Sequence, residues 1–196
     1  QTNPTAVWNP TLANVLSPAA EQKLTAEAAQ LEANTGHQFV VATVPDLQGY
    51  EIEDYAYQLL RAWGIGRKDR NDGVILLVAP SERRVRIEVG YGLEPVLTDA
   101  LSSVILQERV LPQFRNGNTE AGIVSGAEAV MQQLGLPEDQ AKARVAQAAQ
   151  VQDQPEGKVD IGSVIVGLIV LWVIISALGG RGGWWIRGQS RSEEHA

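Results

Sequence analysis

The stretch NDGVILLVAPSERRVRIEVGYGLE, residues 71–94, decides the fold. Its first half contains the unbroken apolar run Val74–Val78, which is typical of a strand buried on both faces. Its second half, Arg84–Val89, alternates charged and aliphatic residues with a period of two, which predicts a strand with one covered and one wetter face. The turn between the two runs is too short to cross over and give a parallel pair. The stretch therefore predicts an antiparallel hairpin.

Upstream of the hairpin, the sequence predicts a helix, a strand and a second helix. A Ser-Pro pair at 17–18 supplies a helix start, and apolar residues recur at helical spacing until Gly36. The run Phe39–Val44 is short, apolar and rich in β-branched residues, which indicates another buried strand. The clearest amphipathic pattern in the chain, from Ile52 to Trp63, predicts the second helix.

Downstream of the hairpin, the sequence predicts two further core helices. One begins after a cap at Thr98 and runs to about Val110, and the other runs from Thr119 to Leu134, with a break at residues 112–118. The order helix, strand, helix, strand, strand, helix, helix predicts a mixed sheet that is covered by helices. Residues 138–152 are prone to form a helix but lack a wide apolar stripe, so we expect a solvated stalk there.

The composition excludes several classes of function. A net charge of -7 argues against general nucleic-acid binding, which needs basic surface to neutralise phosphates. The chain has no cysteine, which removes thiolate nucleophiles, disulfides and cysteine-rich zinc sites. Its two histidines, His37 and His195, are far apart in sequence. Any bound metal is therefore expected to be a hard ion that is held by oxygen atoms.

The run Ile161–Leu178 contains no ionisable residue and predicts a transmembrane helix. At 1.5 Å per residue it spans about 27 Å, and two following glycines extend it towards the ~30 Å of a hydrocarbon core. The alternative is a helix buried within a larger core. Lys158 precedes the run together with two acidic residues, whereas three arginines follow it: Arg181, Arg187 and Arg191. This asymmetry predicts a cytoplasmic C-terminus and a folded domain outside the membrane, in the periplasm or at the cell exterior.

Acidic residues gather at the ends of the predicted strands. Asp46 follows the first strand and Asp72 precedes the second, while Glu94 and Asp99 follow the third. If the first and third strands are parallel neighbours, all four residues approach one edge of the sheet, where open α/β sheets bind ligands. Converging carboxylates repel one another unless a cation lies between them. Calcium, with magnesium as the alternative, is the expected partner because it tolerates irregular oxygen shells.

Each of these acidic residues also has a purely structural interpretation. An Asp-Gly pair such as Asp72-Gly73 is ordinary turn chemistry, and Asp99 at a helix start favours the helix dipole. Glu94 fits a solvated loop. The segment 69–80 is not an EF-hand because its twelfth position is proline, and the glycines of residues 90–92 lack the third glycine of a dinucleotide fingerprint.

Several segments resemble the TPM domain family, and the resemblance covers roughly residues 12–135. They are Trp63-Gly64-Ile65-Gly66, residues 71–78, residues 85–94, Leu97-Thr98-Asp99 and the Pro112-x-Phe114-Arg115-x-Gly117 pattern. The resemblance implies a three-layer α/β/α sandwich with a mixed sheet. It also implies an acidic metal site at Asp72, Glu94 and Asp99, with Asp46 as a fourth ligand. We further expect Asn71, Tyr91 and Gly92 to contact the ligand.

The resemblance also bears on activity, because the family includes a thylakoid-lumen protein linked to photosystem II repair and acid phosphatase activity. It also includes bacterial proteins that bind calcium or hydrolyse phosphate compounds, and many of them carry a signal peptide. Here Gln1 is compatible with a removed signal peptide or with a trimmed chain. The glycine-rich tail of many relatives is reduced to residues 179–183.

These observations predict five segments: an extended leading segment (1–16), a TPM domain (17–135), a helical stalk (136–157), a transmembrane helix (158–180) and a cytoplasmic tail (181–196). The favoured function is a membrane-anchored calcium-binding module that assists membrane protein partners. A metal-dependent phosphatase and a purely structural scaffold are the alternatives. The sequence leaves the substrate, the partner and the oligomeric state open.

Overall fold

The computed structural model describes residues 15–153. Three strands are present: β1 (Gln38–Thr43), β2 (Gly73–Ala79) and β3 (Arg84–Val89). The helices are α1 (Pro18–Thr35), α2 (Ile52–Trp63), α3 (Asp99–Ile105), α4 (Leu111–Arg115), α5 (Thr119–Leu134) and α6 (Glu138–Asp153). A 3₁₀ turn, Tyr91–Leu93, follows β3, and a π-helical turn, Leu106–Val110, joins α3 to α4.

The sheet is mixed, with the strand order β1-β2-β3. β2 pairs antiparallel with β3, so the predicted hairpin is confirmed. β1 pairs parallel with β2, with Gln38 opposite Gly73. The condition for bringing all four acidic residues to one edge, that the first and third strands are parallel neighbours, is therefore not met, because β2 lies between them and they run in opposite directions. β2 is the only strand whose residues are all buried in this part of the chain, which suits the central position.

Helices cover both faces of the sheet, so this part of the chain is an α/β fold with a helical layer on each side. On one face, a core formed with α1, α3 and α5 takes its sheet residues from alternate positions: Phe39, Val41, Val74, Leu76, Val78 and Ile87. The other face packs against α2 through the intervening residues: Val40, Ala42, Ile75, Leu77 and Ala79. The period-two arrangement of the strands produces this division.

The helix α6 belongs to the first of these cores, which differs from the solvated stalk that the sequence predicts. Ala141 and Ala148 are buried, and Val145 packs against the same cluster. The buried side-chain amide of Gln133 donates hydrogen bonds to the carbonyl oxygens of Val96 and Ala141, at 2.7 and 3.1 Å. The apolar stripe of α6 is narrow and made of small residues, so its amphipathic pattern is weak although it is packed.

Helical structure also continues further than expected after α3. The sequence predicts a break from Pro112, but α4 contains this proline in its first turn and ends at Arg115. A proline has no N–H and is tolerated at the start of a helix. The preceding π-helical turn therefore lets the chain begin a new helix at Leu111 instead of leaving the helical path.

The predicted transmembrane helix (158–180), the cytoplasmic tail and almost all of the leading segment lie outside the described residues. Among residues 15–153, none of the helices combines the length and the apolar character needed to cross a bilayer.

Candidate functional site

A cleft of about 590 Å³ lies at the end of the sheet where β3 finishes and β2 begins. We call it the Glu88 cleft. Its lining comes from the C-terminal part of α2, the loop before β2, and the end of β3 with its following turn: Tyr57, Leu60, Arg61, Gly64, Ile65, Gly66, Arg67, Lys68, Asn71, Glu88, Val89, Gly90, Tyr91 and Glu94. Antiparallel pairing of β2 with β3 brings these two loops to the same edge.

The two loops touch through their backbones. The N–H of Gly90 donates to the carbonyl oxygen of Gly73 at 2.7 Å, and the N–H of Gly92 donates to that of Asn71 at 3.1 Å. A Cβ atom at Gly92 would overlap the carbonyl oxygen of Arg70, and one at Gly90 would overlap that of Asn71. Only glycine allows this close approach, so Gly92, a predicted ligand contact, has a packing role that the structure makes explicit.

Asp72 lies buried beside the cleft, and both of its carboxylate oxygens are already bonded. One oxygen accepts the backbone N–H of Arg67 at 2.7 Å, and the other accepts the Nε–H of Arg67 at 2.7 Å together with its Nη2–H. The side chain of Asp72 is 5% exposed and that of Arg67 is 39% exposed. This ion pair closes the loop before β2 onto itself.

The environment of Asp72 keeps its carboxyl ionised. Burial alone raises the pKa of this carboxyl, but the hydrogen bonds and the positive charge of Arg67 outweigh burial and hold the pKa below its ordinary value. The ionised form of Asp72 therefore contributes to stability at neutral pH, and this contribution is lost as the pH falls through the lowered pKa.

Glu88 is the acidic residue that the sequence analysis missed. It lies on the α2 face of β3 with 16% of its side chain exposed, and it accepts the Nε–H of Arg86 at 3.1 Å. Burial raises the pKa of Glu88 most, Arg86 lowers it, and the negative charges of Asp99 and Glu53 raise it further, so the pKa lies above its ordinary value. The alternation of charged and aliphatic residues in β3 places Glu88 on the face that is predicted to be wetter, so the pattern gives no sign that its side chain is largely buried.

The structure brings some of the predicted site residues together and separates others. Asn71, Tyr91 and Glu94 line the Glu88 cleft. Asp99 lies exposed in the first turn of α3 and is close enough to Glu88 to raise its pKa. Asp46 lies at the opposite edge of the sheet, because β1 is antiparallel to β3, and its carboxylate accepts the backbone N–H of Gln48 at 2.9 Å.

Basic side chains form part of the same cleft, so its charge is mixed. Arg61, Arg67 and Lys68 share the lining with Glu88 and Glu94. The guanidinium of Arg61 donates to the hydroxyl of Tyr57 at 2.8 Å and lies 5.5 Å from the centre of its ring. Within residues 15–153, no group of three or more histidine, cysteine, aspartate or glutamate side chains is placed to hold a metal ion.

Replacing Asp72 with asparagine tests the loop-closing ion pair. We expect Asp72→Asn to lower the free energy of unfolding by about 2 kcal/mol at pH 7, since hydrogen bonds between charged groups are lost and the partly exposed Arg67 regains only some hydration. The difference from wild type should begin to shrink as the pH falls below about 4, the ordinary pKa that Asp72 has in the unfolded chain. It should disappear only when the pH passes below the lowered pKa of the folded chain. Urea unfolding at several pH values measures both effects.

The matched control is Asp69→Asn, an exposed acid in the same loop. Its free energy of unfolding should stay within about 0.5 kcal/mol of wild type. Equal losses in the two variants would contradict the role of the Asp72–Arg67 pair.

Comparison with known proteins agrees with this architecture. The family model described as the TPM domain matches residues 11–133. A solution NMR structure of the N-terminal domain of a protein from P. gingivalis shares 38% identity, with 62% of this chain and 78% of that chain covered and a TM-score of 0.59. No curated protein gives a significant match.

A second solved structure shares the fold at lower identity. It is the NMR structure of the BA42 protein from the psychrophilic bacterium Bizionia argentinensis, with 20% identity, 63% of this chain and 84% of that chain covered, and a TM-score of 0.54. The family model spans well over half of the chain, and the hairpin and glycine-packed loops described above lie within it. The chain therefore belongs to the TPM domain family.

Proposed function

We propose that this TPM domain binds a divalent cation, calcium in preference to magnesium, in the Glu88 cleft. The observation that carries the proposal is the position of Glu88 in the cleft lining, where only 16% of its side chain is exposed. Burial raises the pKa of its carboxyl, and the negative charges of Asp99 and Glu53 add to this rise. In the described part of the chain, Glu88 forms an ion pair with Arg86 alone, and Arg86 also pairs with Glu53 at 3.6 Å. A cation would relieve this remaining repulsion.

A sparse calcium shell would draw on three residues that line the cleft. Glu88 and Glu94 would supply carboxylate oxygens and Asn71 a neutral oxygen, with water completing the shell. Asp72 would join only after release from Arg67, and Asp99 would contribute negative charge nearby. Calcium accepts such irregular shells, whereas magnesium demands near-octahedral geometry. With so few charged ligands, we expect the affinity of an extracellular module, with a Kd of about 0.1–1 mM.

A calcium titration of residues 1–153, followed by NMR, tests the site. The described residues 15–153 lie within one compact unit, and the N-terminal domain of a similar protein was studied in solution on its own. We expect saturable shifts in the amides of residues 88–94, and at least about a ten-fold weaker affinity in Glu88→Gln and Glu94→Gln, since each variant removes one charged ligand. Protons compete for Glu88, so the affinity should fall as the pH drops through its raised pKa and level off above it.

Glu108→Gln is the matched control, because Glu108 is exposed and does not line the cleft. It should bind calcium like the wild type. Shifts that never saturate, or equal affinities in all three variants, would remove the support for a cation site at Glu88 and Glu94.

We further propose that the hydrophobic segment 161–178 displays this domain outside a membrane, where it assists a membrane protein partner. The support comes from the sequence, in the apolar run and the arginines that follow it. Tyr91, which is 78% exposed, and the exposed Tyr57 lie at the cleft and offer aromatic surface of the kind that is enriched in protein interfaces.

The absence of cysteine makes the orientation easy to measure. In intact cells that produce the protein, a membrane-impermeant maleimide should label Gln140→Cys, on the exposed surface of α6, and should leave Ser190→Cys unlabelled until the cells are opened. Labelling of Ser190→Cys in intact cells without labelling of Gln140→Cys would reverse the proposed orientation.

The second candidate function is hydrolysis of phosphoesters. It is favoured by Arg61 and Lys68, which place positive charge in the same cleft as the largely buried Glu88 with its raised pKa, while Arg67 there is already paired with Asp72. Purified residues 1–153 with p-nitrophenyl phosphate and calcium or magnesium provide the test. Turnover that is lost in Glu88→Gln and kept in Glu108→Gln supports an enzyme, whereas turnover at the background level leaves the binding module alone.

A further inference from the structure

A second cleft, of about 620 Å³, lies at the opposite end of the sheet from the Glu88 cleft. We call it the arginine cleft. It is lined by the end of β2, the turn into β3, and the segment from α4 to the start of α5: Val78, Ala79, Pro80, Arg83, Arg84, Leu111, Phe114, Arg115, Gly117 and Thr119. None of these residues lines the Glu88 cleft, so the two can be tested separately.

The charge of the arginine cleft has one sign. Arg83, Arg84 and Arg115 line it, and no acidic side chain does. Arg84 pairs at 3.4 Å with the exposed Glu51 of α2. Neither Arg83 nor Arg115 forms an ion pair with another residue in the range 15–153. The arginine cleft therefore carries local positive charge that no neighbouring acid among the described residues neutralises, although the whole chain has a net charge of -7.

Local backbone structure fixes the two unpaired arginines. Arg83 has a positive φ of 56°, and its N–H donates to the carbonyl oxygen of Pro80 at 3.2 Å, which closes the turn between β2 and β3. Arg115 ends α4, and the N–H of Gly117 donates to the carbonyl oxygen of Phe114 at 3.1 Å directly after it. Both guanidinium groups therefore start from ordered backbone, which lowers the entropy lost on binding.

The floor of the cleft is apolar and packed. Val78 is buried, and Leu111 and Phe114 are partly covered. Phe114 lies directly against Gly122 of α5, where a Cβ atom would be 2.6 Å from the Cδ1 atom of the ring. The missing side chain of Gly122 therefore lets the ring settle on α5. An apolar floor rimmed by guanidinium groups differs from a solvated basic surface, because it can bury part of a ligand.

We propose that the arginine cleft binds an anion that carries an apolar group, of the alkyl or aryl phosphate class. Guanidinium groups match the oxygens of phosphate with two parallel hydrogen bonds each. The apolar part of the ligand would cover the partly exposed Leu111 and Phe114 and gain stabilisation from the area removed from water. Such a ligand can be a free phosphate ester or the headgroup region of an anionic lipid.

Titration of residues 1–153 with octyl phosphate, inorganic phosphate and octanol tests both halves of the proposed recognition. NMR shifts of the amides of Arg83, Gly117 and Thr119 should saturate with octyl phosphate, kept below its micelle concentration. Inorganic phosphate and octanol should each bind at least about ten-fold more weakly, because each lacks one half of the ligand. Equal binding of all three, or no saturation with octyl phosphate, overturns the proposal.

Variants separate the cleft from general attraction to positive charge. Arg83→Asn combined with Arg115→Gln should weaken octyl phosphate binding by at least about ten-fold, and asparagine tolerates the left-handed backbone at residue 83. Arg109→Gln, an exposed arginine of the π-helical turn outside the cleft, should bind like the wild type. An equal loss in Arg109→Gln, or no loss in the double variant, also overturns the proposal.

Sedimentation with vesicles distinguishes the two sources of the ligand. If the ligand is a lipid, residues 1–153 sediment with phosphatidylglycerol vesicles, do not sediment with phosphatidylcholine vesicles, and lose this binding in the double variant. If octyl phosphate saturates the cleft and vesicles do not bind, the proposal holds for a free ester. A calcium site that fails its own titration leaves this result unchanged, because the clefts share no residue.

Discussion

The site depends on close backbone packing at the start of β2, where three segments that contain glycine meet: the loop before β2, the start of β2 itself and the turn after β3. Gly66, with a positive φ of 89°, lies against the backbone of Gly73, while Gly90 and Gly92 lie against the carbonyl groups of residues 70–71. Since a side chain at any of these positions would collide with backbone, the loops are held at a separation that no rotamer change can adjust. The shape of the Glu88 cleft is therefore set by the main chain.

This constraint explains why Asp72 and Glu88 differ in their chemistry. The tight loop turns Asp72 back onto Arg67, five residues earlier, so its charge is compensated within the loop. Glu88 comes from a strand, which fixes the direction of its side chain, and α2 packs against β3 and leaves Glu88 only 16% exposed. It shares Arg86 with Glu53, and Asp99 adds a further negative charge. The carboxylate of Asp72 is therefore neutralised by Arg67 within its own loop. The carboxylate of Glu88 shares its cation with Glu53 and retains negative charge that a bound cation can neutralise.

The elements that the sequence predicts best are those that depend on local pattern. α2 and β3 have the predicted bounds, and the β2–β3 hairpin follows from the length of its turn. The order of strands depends on contacts that are distant in sequence, and no local pattern shows that β1 lies beside β2. Asp46 was therefore assigned to the wrong edge. Glu88 was missed because alternation marks which residues share a face, while only the packing of α2 shows how wet that face is.

The same topology separates two binding environments of different charge. Because β2 is buried along its whole length, a ligand can approach it only at its two ends. The antiparallel hairpin places the end of β3 beside the start of β2, and the turn into β3 lies at the end of β2. The net charge of -7 would repel an anion from a distance. Exposed charges more than about 10 Å apart are largely screened at 0.1 M salt. At the contact distances within a cleft, the nearest side chains thus decide which sign of charge a ligand must carry. In the arginine cleft these side chains are arginines, so the ligand is an anion.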